Sequence, residues 1–230
     1  MSTTTPAVSV PAVAPSLPRI NDAAPQFTAP STHGELKLSD YKGKWVVLFS
    51  HPADFTPVCS TEFLAFARAQ PQFAELNTQL IGLSIDSVYS HIAWVRNLEA
   101  NFKVAINFPL IADLSTHVAQ QYGLIHPGAS TTATVRAVFV IDPEQVVKAI
   151  IYYPLTTGRS VAEIKRLVVA LQANAEKKLA TPEGWQPGDQ FIVPAPLTTK
   201  AAAERAASTD HEVVDWFFAK TKANAQSGKA

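Results

Sequence analysis

Apolar and polar positions along the chain fall into two periods, and their alternation predicts an α/β fold. Trp45-Val46-Val47-Leu48-Phe49-Ser50 is almost continuously apolar, as expected of a strand buried on both faces of a central sheet, and Gln79 to Asp86 repeats the pattern. Between them, Ser60-Thr61-Glu62-Phe63-Leu64-Ala65-Phe66 has helical spacing, and a second helix runs through His91, Trp94, Val95 and Leu98. Phe108 to Ile111 predicts a short strand, Ser115 to Tyr122 a short helix, and Gly123 to Thr132 a loop. Arg136 to Ile141 and Val146 to Tyr153 predict a hairpin across Asp142-Pro143-Glu144-Gln145. A helix with Val161, Ile164, Leu167, Val168 and Leu171 on one face then runs to about Lys178. Upstream, Pro25 to Thr28 and Glu35 to Leu38 predict a small hairpin around His33-Gly34. Downstream, Gln190 to Val193 reads as a short strand, and Thr198 to Ser208 and His211 to Ala225 read as helices. Val214, Trp216, Phe217 and Phe218 are too apolar for a free tail, so this last segment is expected to pack on the main domain or on a second subunit.

Residues 1–18 are Ser, Thr, Ala, Val and Pro without a basic residue before Arg19, which predicts a disordered extension rather than a targeting signal. The domain expected after it spans 19–180, and 181–230 forms a C-terminal segment with few residues for a core of its own. Nineteen basic residues balance nineteen acidic ones, so no net field draws the chain to nucleic acid or to an anionic membrane. Its single cysteine allows no disulfide within the chain and fits a reducing, cytoplasmic setting. His33, His91, His117, His126 and His211 show no metal-ligand spacing, and neither a metal site nor another cofactor is expected.

The chemistry concentrates where the first buried strand ends. In His51-Pro52-Ala53-Asp54-Phe55-Thr56-Pro57-Val58-Cys59, Thr56 is a favoured N-cap and Pro57 suits the first helical position, which puts Cys59 near the third. Backbone N–H groups in a first turn lack partners and the helix dipole is positive there, so an anionic sulfur is stabilised. The C-terminal end of a central strand is also where open α/β sheets place their ligands.

The run Pro52-x-x-x-Thr56-x-x-Cys59 resembles the active-site signature of the peroxiredoxins, and His51-Pro52 to Glu62 resembles the one-cysteine, peroxiredoxin 6 type branch. Leu83 to Ser87 with Trp94, Arg136 to Asp142, and Tyr153-Pro154 through Gly158-Arg159 match the family in order. Thr181-Pro182 to Val193 resembles the start of its C-terminal domain. The resemblance implies a thioredoxin-like sandwich, a central mixed sheet flanked by helices, with a small C-terminal extension that associates with a partner in a homodimer or a higher oligomer.

It also implies a thiol peroxidase. Cys59 attacks a hydroperoxide and becomes a sulfenic acid, while Thr56, Arg136 and Pro52 complete the catalytic set. Thr56 offers its hydroxyl, Arg136 a planar cation, and Pro52 a wall against bulk water. The backbone N–H groups of Val58 and Cys59 form an anion cradle. Glu62, one turn after Cys59 on the same helix face, is expected to orient Arg136 or Arg159, and His51 to hydrogen-bond near the pocket. With no second cysteine, regeneration falls to an external reductant such as glutathione, thioredoxin, another small thiol or ascorbate. Phospholipase chemistry of the Gly-x-Ser-x-Gly kind is not expected, because Lys44 stands where the serine would fall in Lys42-Gly43-Lys44-Trp45-Val46. The competing reading is a thiol-inert holdase or binding module on the same fold.

Overall fold

The computed structural model describes residues 17–222, so most of the expected extension over 1–18 lies outside the described residues. The chain divides into two compact units, Met1–Arg159 and Ser160–Ala230. This division assigns the helix that follows Ser160 to the second unit, whereas the sequence reading keeps it with the first.

The first unit opens on a hairpin of β1 (Thr28–Ser31) and β2 (Gly34–Lys37). The expected first arm over 25–28 is displaced toward the turn, where Ser31 Oγ accepts from His33 N and donates to Gly34 O, and where Gly34 has φ of 95°. A single turn of 3-10 helix, Leu38–Tyr41, replaces the expected end of the second arm and leads into β3 (Trp45–Ser50). Then follow α1 (Pro57–Glu75), β4 (Thr78–Ser84), α2 (Val88–Phe102), β5 (Leu110–Ala112), α3 (His117–Gln121), β6 (Arg136–Ile141) and β7 (Val147–Tyr153). The seven strands form one mixed sheet in the order β2-β1-β5-β4-β3-β6-β7. β3, β4 and β5 are parallel, while β6 runs antiparallel to β3 with Phe49 opposite Val138.

Every residue of β3 is buried, as its unbroken apolar pattern predicts. Val46 and Leu48 join Ile81, Leu83, Phe139 and Ile141 on one face, with Val118, Ala119 and Tyr122 of the α3 region packed among them. Phe49 points the other way, stacking on Phe66 at 4.1 Å and meeting Phe63 at 5.4 Å, while Phe63 meets Trp94 of α2 at 4.6 Å. Each such side chain, fully buried, contributes about 1.5–3 kcal/mol of hydrophobic stabilisation. α1 is thereby fixed against the sheet by the residues that follow Cys59.

The second unit begins with α4 (Val161–Lys177), capped by Ser160, whose side chain accepts from Glu163 N. β8 (Ile192–Val193), α5 (Thr199–Ala206), β9 (Glu212–Asp215) and β10 (Phe218–Lys220) complete it. The helix expected over 211–225 is replaced, as far as residue 222, by an antiparallel β9–β10 hairpin, with β10 also paired to β8. The β-branched pair Val213-Val214 and the aromatics Phe217 and Phe218 favour extended backbone. In β10 only Ala219 is buried, and Val214, Trp216, Phe217 and Phe218 stay exposed at 77, 43, 54 and 37%.

Candidate active site

β3 delivers the chain into the loop from His51 to Thr56, and α1 begins at Pro57 with Cys59 as its third residue. Thr56 occupies the N-cap in extended conformation, but its side chain makes no cap bond: Oγ1 donates to Ala53 O at 2.9 Å. The helix mouth is therefore not closed by its own cap, and the first-turn N–H groups of Val58 and Cys59 have no intrahelical acceptor. Pro52 is half-buried at the head of the loop.

The Cys59 side chain is fully buried. Arg136, the first residue of β6, directs Nη1 at Cys59 Sγ across 3.3 Å and at Glu62 Oε2 across 2.8 Å. Its Nε and Nη2 both donate to Leu155 O, at 2.9 and 2.8 Å. Glu62 is held equally from the other side. Arg159 gives its backbone N and Nε to Glu62 Oε1 at 2.7 and 2.8 Å, and Nη2 to Oε2 at 2.7 Å. Arg159 Nη1 in turn donates to Ala137 O at 2.7 Å, and the guanidinium lies 5.5 Å from the Phe49 ring centroid. Burial raises the Glu62 carboxyl, but Arg159 and Arg136 outweigh it and hold the group below the usual carboxylate range. Two guanidiniums thus face one carboxylate inside a buried cluster, and one positive charge is left over beside the sulfur.

The structure therefore brings Cys59, Arg136, Glu62 and Arg159 together. Glu62 is buried at 2% exposure, and both arginines it was expected to orient bond it. The Val58 side chain faces Gly158, where an added Cβ would stand 3.5 Å from Val58 Cγ1. His51 stands apart from this cluster's hydrogen bonds. Its Nε2 meets Asp54 Oδ1 at 3.0 Å, its ring stacks on Trp94 at 5.2 Å, and its Nδ1 is buried without a hydrogen-bond partner. The sequence reading passed over Asp54 and treated His91 as one of several scattered histidines. In the structure His51, Asp54 and His91 are buried together with donor atoms within 4.8 Å of one another, the one group of this kind among the described residues. His51 and Asp54 share a loop at i,i+3 spacing, but no sequence spacing ties either to His91.

Residues 20–150 match the model of the AhpC/TSA family, and residues 170–209 match the C-terminal domain of 1-Cys peroxiredoxin. The chain belongs to the one-cysteine peroxiredoxins. A peroxiredoxin of Methanosarcina mazei is 54% identical over 211 residues, 88% of this chain and 96% of that one. One of Aquifex aeolicus is 51% identical over 218 residues, 90% and 98% of the two chains. Among solved structures, the yeast mitochondrial 1-Cys peroxiredoxin superposes with a TM-score of 0.79 at 39% identity, covering 89% of this chain and 99% of its own. A cysteine-to-serine mutant of the peroxiredoxin 6 of Arenicola marina gives 0.78 at 36%, covering 90% and 99%. The mixed sheet is thus the thioredoxin-like fold of these peroxiredoxins with their C-terminal extension. This peroxiredoxin is a thiol-dependent peroxidase that acts on hydroperoxides, with Cys59 its single thiol.

Proposed function

We propose that Cys59 is the peroxidatic residue and that Arg136, Thr56 and Pro52 form the catalytic set around it. The observation that carries this reading is the 3.3 Å contact of Arg136 Nη1 with Cys59 Sγ inside the Glu62–Arg136–Arg159 cluster. A thiolate at Cys59 neutralises the positive charge that this cluster leaves over. The sulfur attacks one hydroperoxide oxygen in line. The S–O bond forms as the O–O bond breaks, and the departing oxygen leaves as water or alcohol once protonated. Charge moves onto that oxygen, so donors fixed in advance stabilise the transition state: Arg136 and the first-turn N–H groups of Val58 and Cys59. Because Thr56 Oγ1 spends its proton on Ala53 O, it offers a lone pair to the O–H of the incoming hydroperoxide rather than a proton to the sulfur. Glu62 and Arg159 act through Arg136.

The sulfenic acid condenses with an external thiol, releasing water, and a second thiol exchange returns Cys59. Glutathione and thioredoxin are the proposed reductants, since the similar yeast mitochondrial protein is described as resolved through glutathione/thioredoxin systems. The exposed aromatics Trp216, Phe217 and Phe218 support a homodimer in which the segment 181–230 serves as the dimer-associated domain of a peroxidase domain over 19–180. A free thiol that must be kept reduced supports a cytoplasmic location. No helix among the described residues is long and apolar enough to cross a membrane.

The test is peroxide consumption by wild type and Cys59→Ser with each reductant, together with dimedone trapping of the sulfenic acid. Loss of both turnover and adduct in Cys59→Ser is the expected result. Equal rates in the two proteins leave only the holdase or binding-module reading.

A further inference from the structure

Asp54 gathers two imidazoles, and the acceptors around them fix where the ring protons sit. His91 Nδ1 lies 3.0 Å from Asp54 Oδ1 and 2.9 Å from Oδ2, while its Nε2 lies 3.1 Å from Ile111 O. A carbonyl oxygen only accepts, so His91 Nε2 bears a proton. The Asp54 carboxyl is pushed upward by burial and further downward by the N–H groups of His51 and His91, so it too is an acceptor. His91 Nδ1 and His51 Nε2 then each bear a proton. The hydrogen-bond pattern thus sets an acceptor against each ring nitrogen of His91, whereas it leaves His51 with a bare Nδ1. Burial lowers the His51 imidazole in the same sense. With both ring nitrogens donating, His91 has no lone pair for a metal ion, although the donor atoms of the three residues converge.

The same bonds decide what the loop is fastened to. The stretch from His51 to Thr56 has no regular structure and must set the start of α1. His51 N donates to Leu83 O at 2.9 Å, and His51 O accepts from Thr134 Oγ1 at 2.7 Å. Asp54 N donates to Asp86 Oδ2 at 3.0 Å, and Asp86 is the other charged group facing the cluster. Beside the stacking of His51 on Trp94, the Asp54 side chain supplies the hydrogen bonds that carry the loop across to α2, through His91, and on to β5, through Ile111 O.

We infer that Asp54 and the doubly protonated His91 form a positioning pair that clasps the Cys59 loop to α2 and β5 and fixes His51 as its Nε2–H tautomer. Neither residue touches the reacting atoms. The pair acts by holding the loop, and through it the sulfur, in register with Arg136, a placement in which an error of about 1 Å costs up to about a hundredfold in rate. Its consequence for catalysis rests on Cys59 being the peroxidatic residue, whereas its protonation pattern does not.

The first test needs no variant and no turnover: a long-range proton–nitrogen correlation of the histidine rings in the full chain at neutral pH. Both nitrogens of His91 are expected to be protonated, with His51 protonated at Nε2 only. A bare nitrogen on His91, or a proton on His51 Nδ1, overturns the inference whatever Cys59→Ser shows. The second test compares kcat/KM for hydrogen peroxide in Asp54→Asn, His91→Gln and the double variant. Each single change is expected to lower it about tenfold and the double by about the same tenfold, because members of a unit do not act additively. Independent effects multiplying to about a hundredfold, or no effect at all, sink the positioning role. In Asp54→Asn the new amide donor faces His91, so His91 is expected to lose its Nδ1 proton and keep that on Nε2. A His91 ring unchanged in that variant contradicts the pairing.

Discussion

Glu62→Gln offers a direct test of how the cluster is built. The substitution preserves shape and leaves one carbonyl oxygen to accept from Arg159 N and Nε. It places an amide NH2 where Oε2 now accepts from Arg136 Nη1 at 2.8 Å and Arg159 Nη2 at 2.7 Å, donor against donors. Two charge-assisted bonds are lost, at about 1.5–3 kcal/mol each. Two buried guanidiniums also lose their counter-charge, and removing one partner of a buried pair typically destabilises by about 3–5 kcal/mol. Because these are two descriptions of one loss, about 3–5 kcal/mol is expected in urea unfolding. For a chain of this size, at about 2–4 °C per kcal/mol, the melting temperature falls by roughly 10 °C.

The same carboxylate gives the effect a pH signature. Glu62 is depressed in the folded state, so its contribution is present above the unfolded glutamate value of about 4.3 and is lost as pH falls through the lower folded value. Glu62→Gln should therefore flatten the acid limb of stability while lowering the neutral plateau. A variant within about 1 kcal/mol of wild type at pH 7, or one that keeps the acid limb, would refute the claim that pairing outweighs desolvation here.

Three further outcomes follow from the geometry. Arg136→Lys keeps the charge but cannot reach Leu155 O, Glu62 and Cys59 at once, so kcat/KM for peroxide should drop about a hundredfold while KM for the thiol reductant stays within about twofold; steady-state kinetics decide it. In Gly82→Ala the new Cβ would lie 3.2 Å from Phe63 Cζ and 3.3 Å from Leu110 Cγ. That overpacking should cost about 1–3 kcal/mol in urea unfolding; a neutral result would mean the Phe63 ring yields freely. Trp216→Ser with Phe217→Ser should shift the sedimentation coefficient from dimer to monomer without changing the fold by circular dichroism, and a monomeric wild type would end the dimer reading.

What the sequence made legible was local. The β3–loop–α1 unit was readable because an unbroken apolar strand, an N-cap and a first-turn proline lie within a few residues of Cys59. Glu62 was readable as a neighbour of Cys59 for the same reason, since i,i+3 positions share a helix face. That it meets both Arg136 and Arg159 was not, because they lie 74 and 97 residues from it in sequence and reach it only once the sheet has formed. His91 was lost to the same cause: it lies 37 residues from Asp54, on an apolar helix face where a histidine carries no distinguishing pattern. The β9–β10 hairpin was misread because strands of four and three residues are too short for either period to declare itself. The β-branched Val213-Val214 was the signal that favoured strand. Thr56 shows a subtler limit: its place as N-cap was legible, but not the preference of its hydroxyl for Ala53 O.

The double grip of Leu155 O on Arg136 has one more consequence. With Nε and Nη2 tied to that carbonyl and Nη1 shared with Glu62, the guanidinium plane is set before any peroxide arrives. The electrostatic work of bringing like charges together is done once, during folding, and is not repeated at each turnover. On the proposed role of Arg136, little nuclear rearrangement accompanies oxygen transfer, and the chain's own stability is the store from which the rate is drawn.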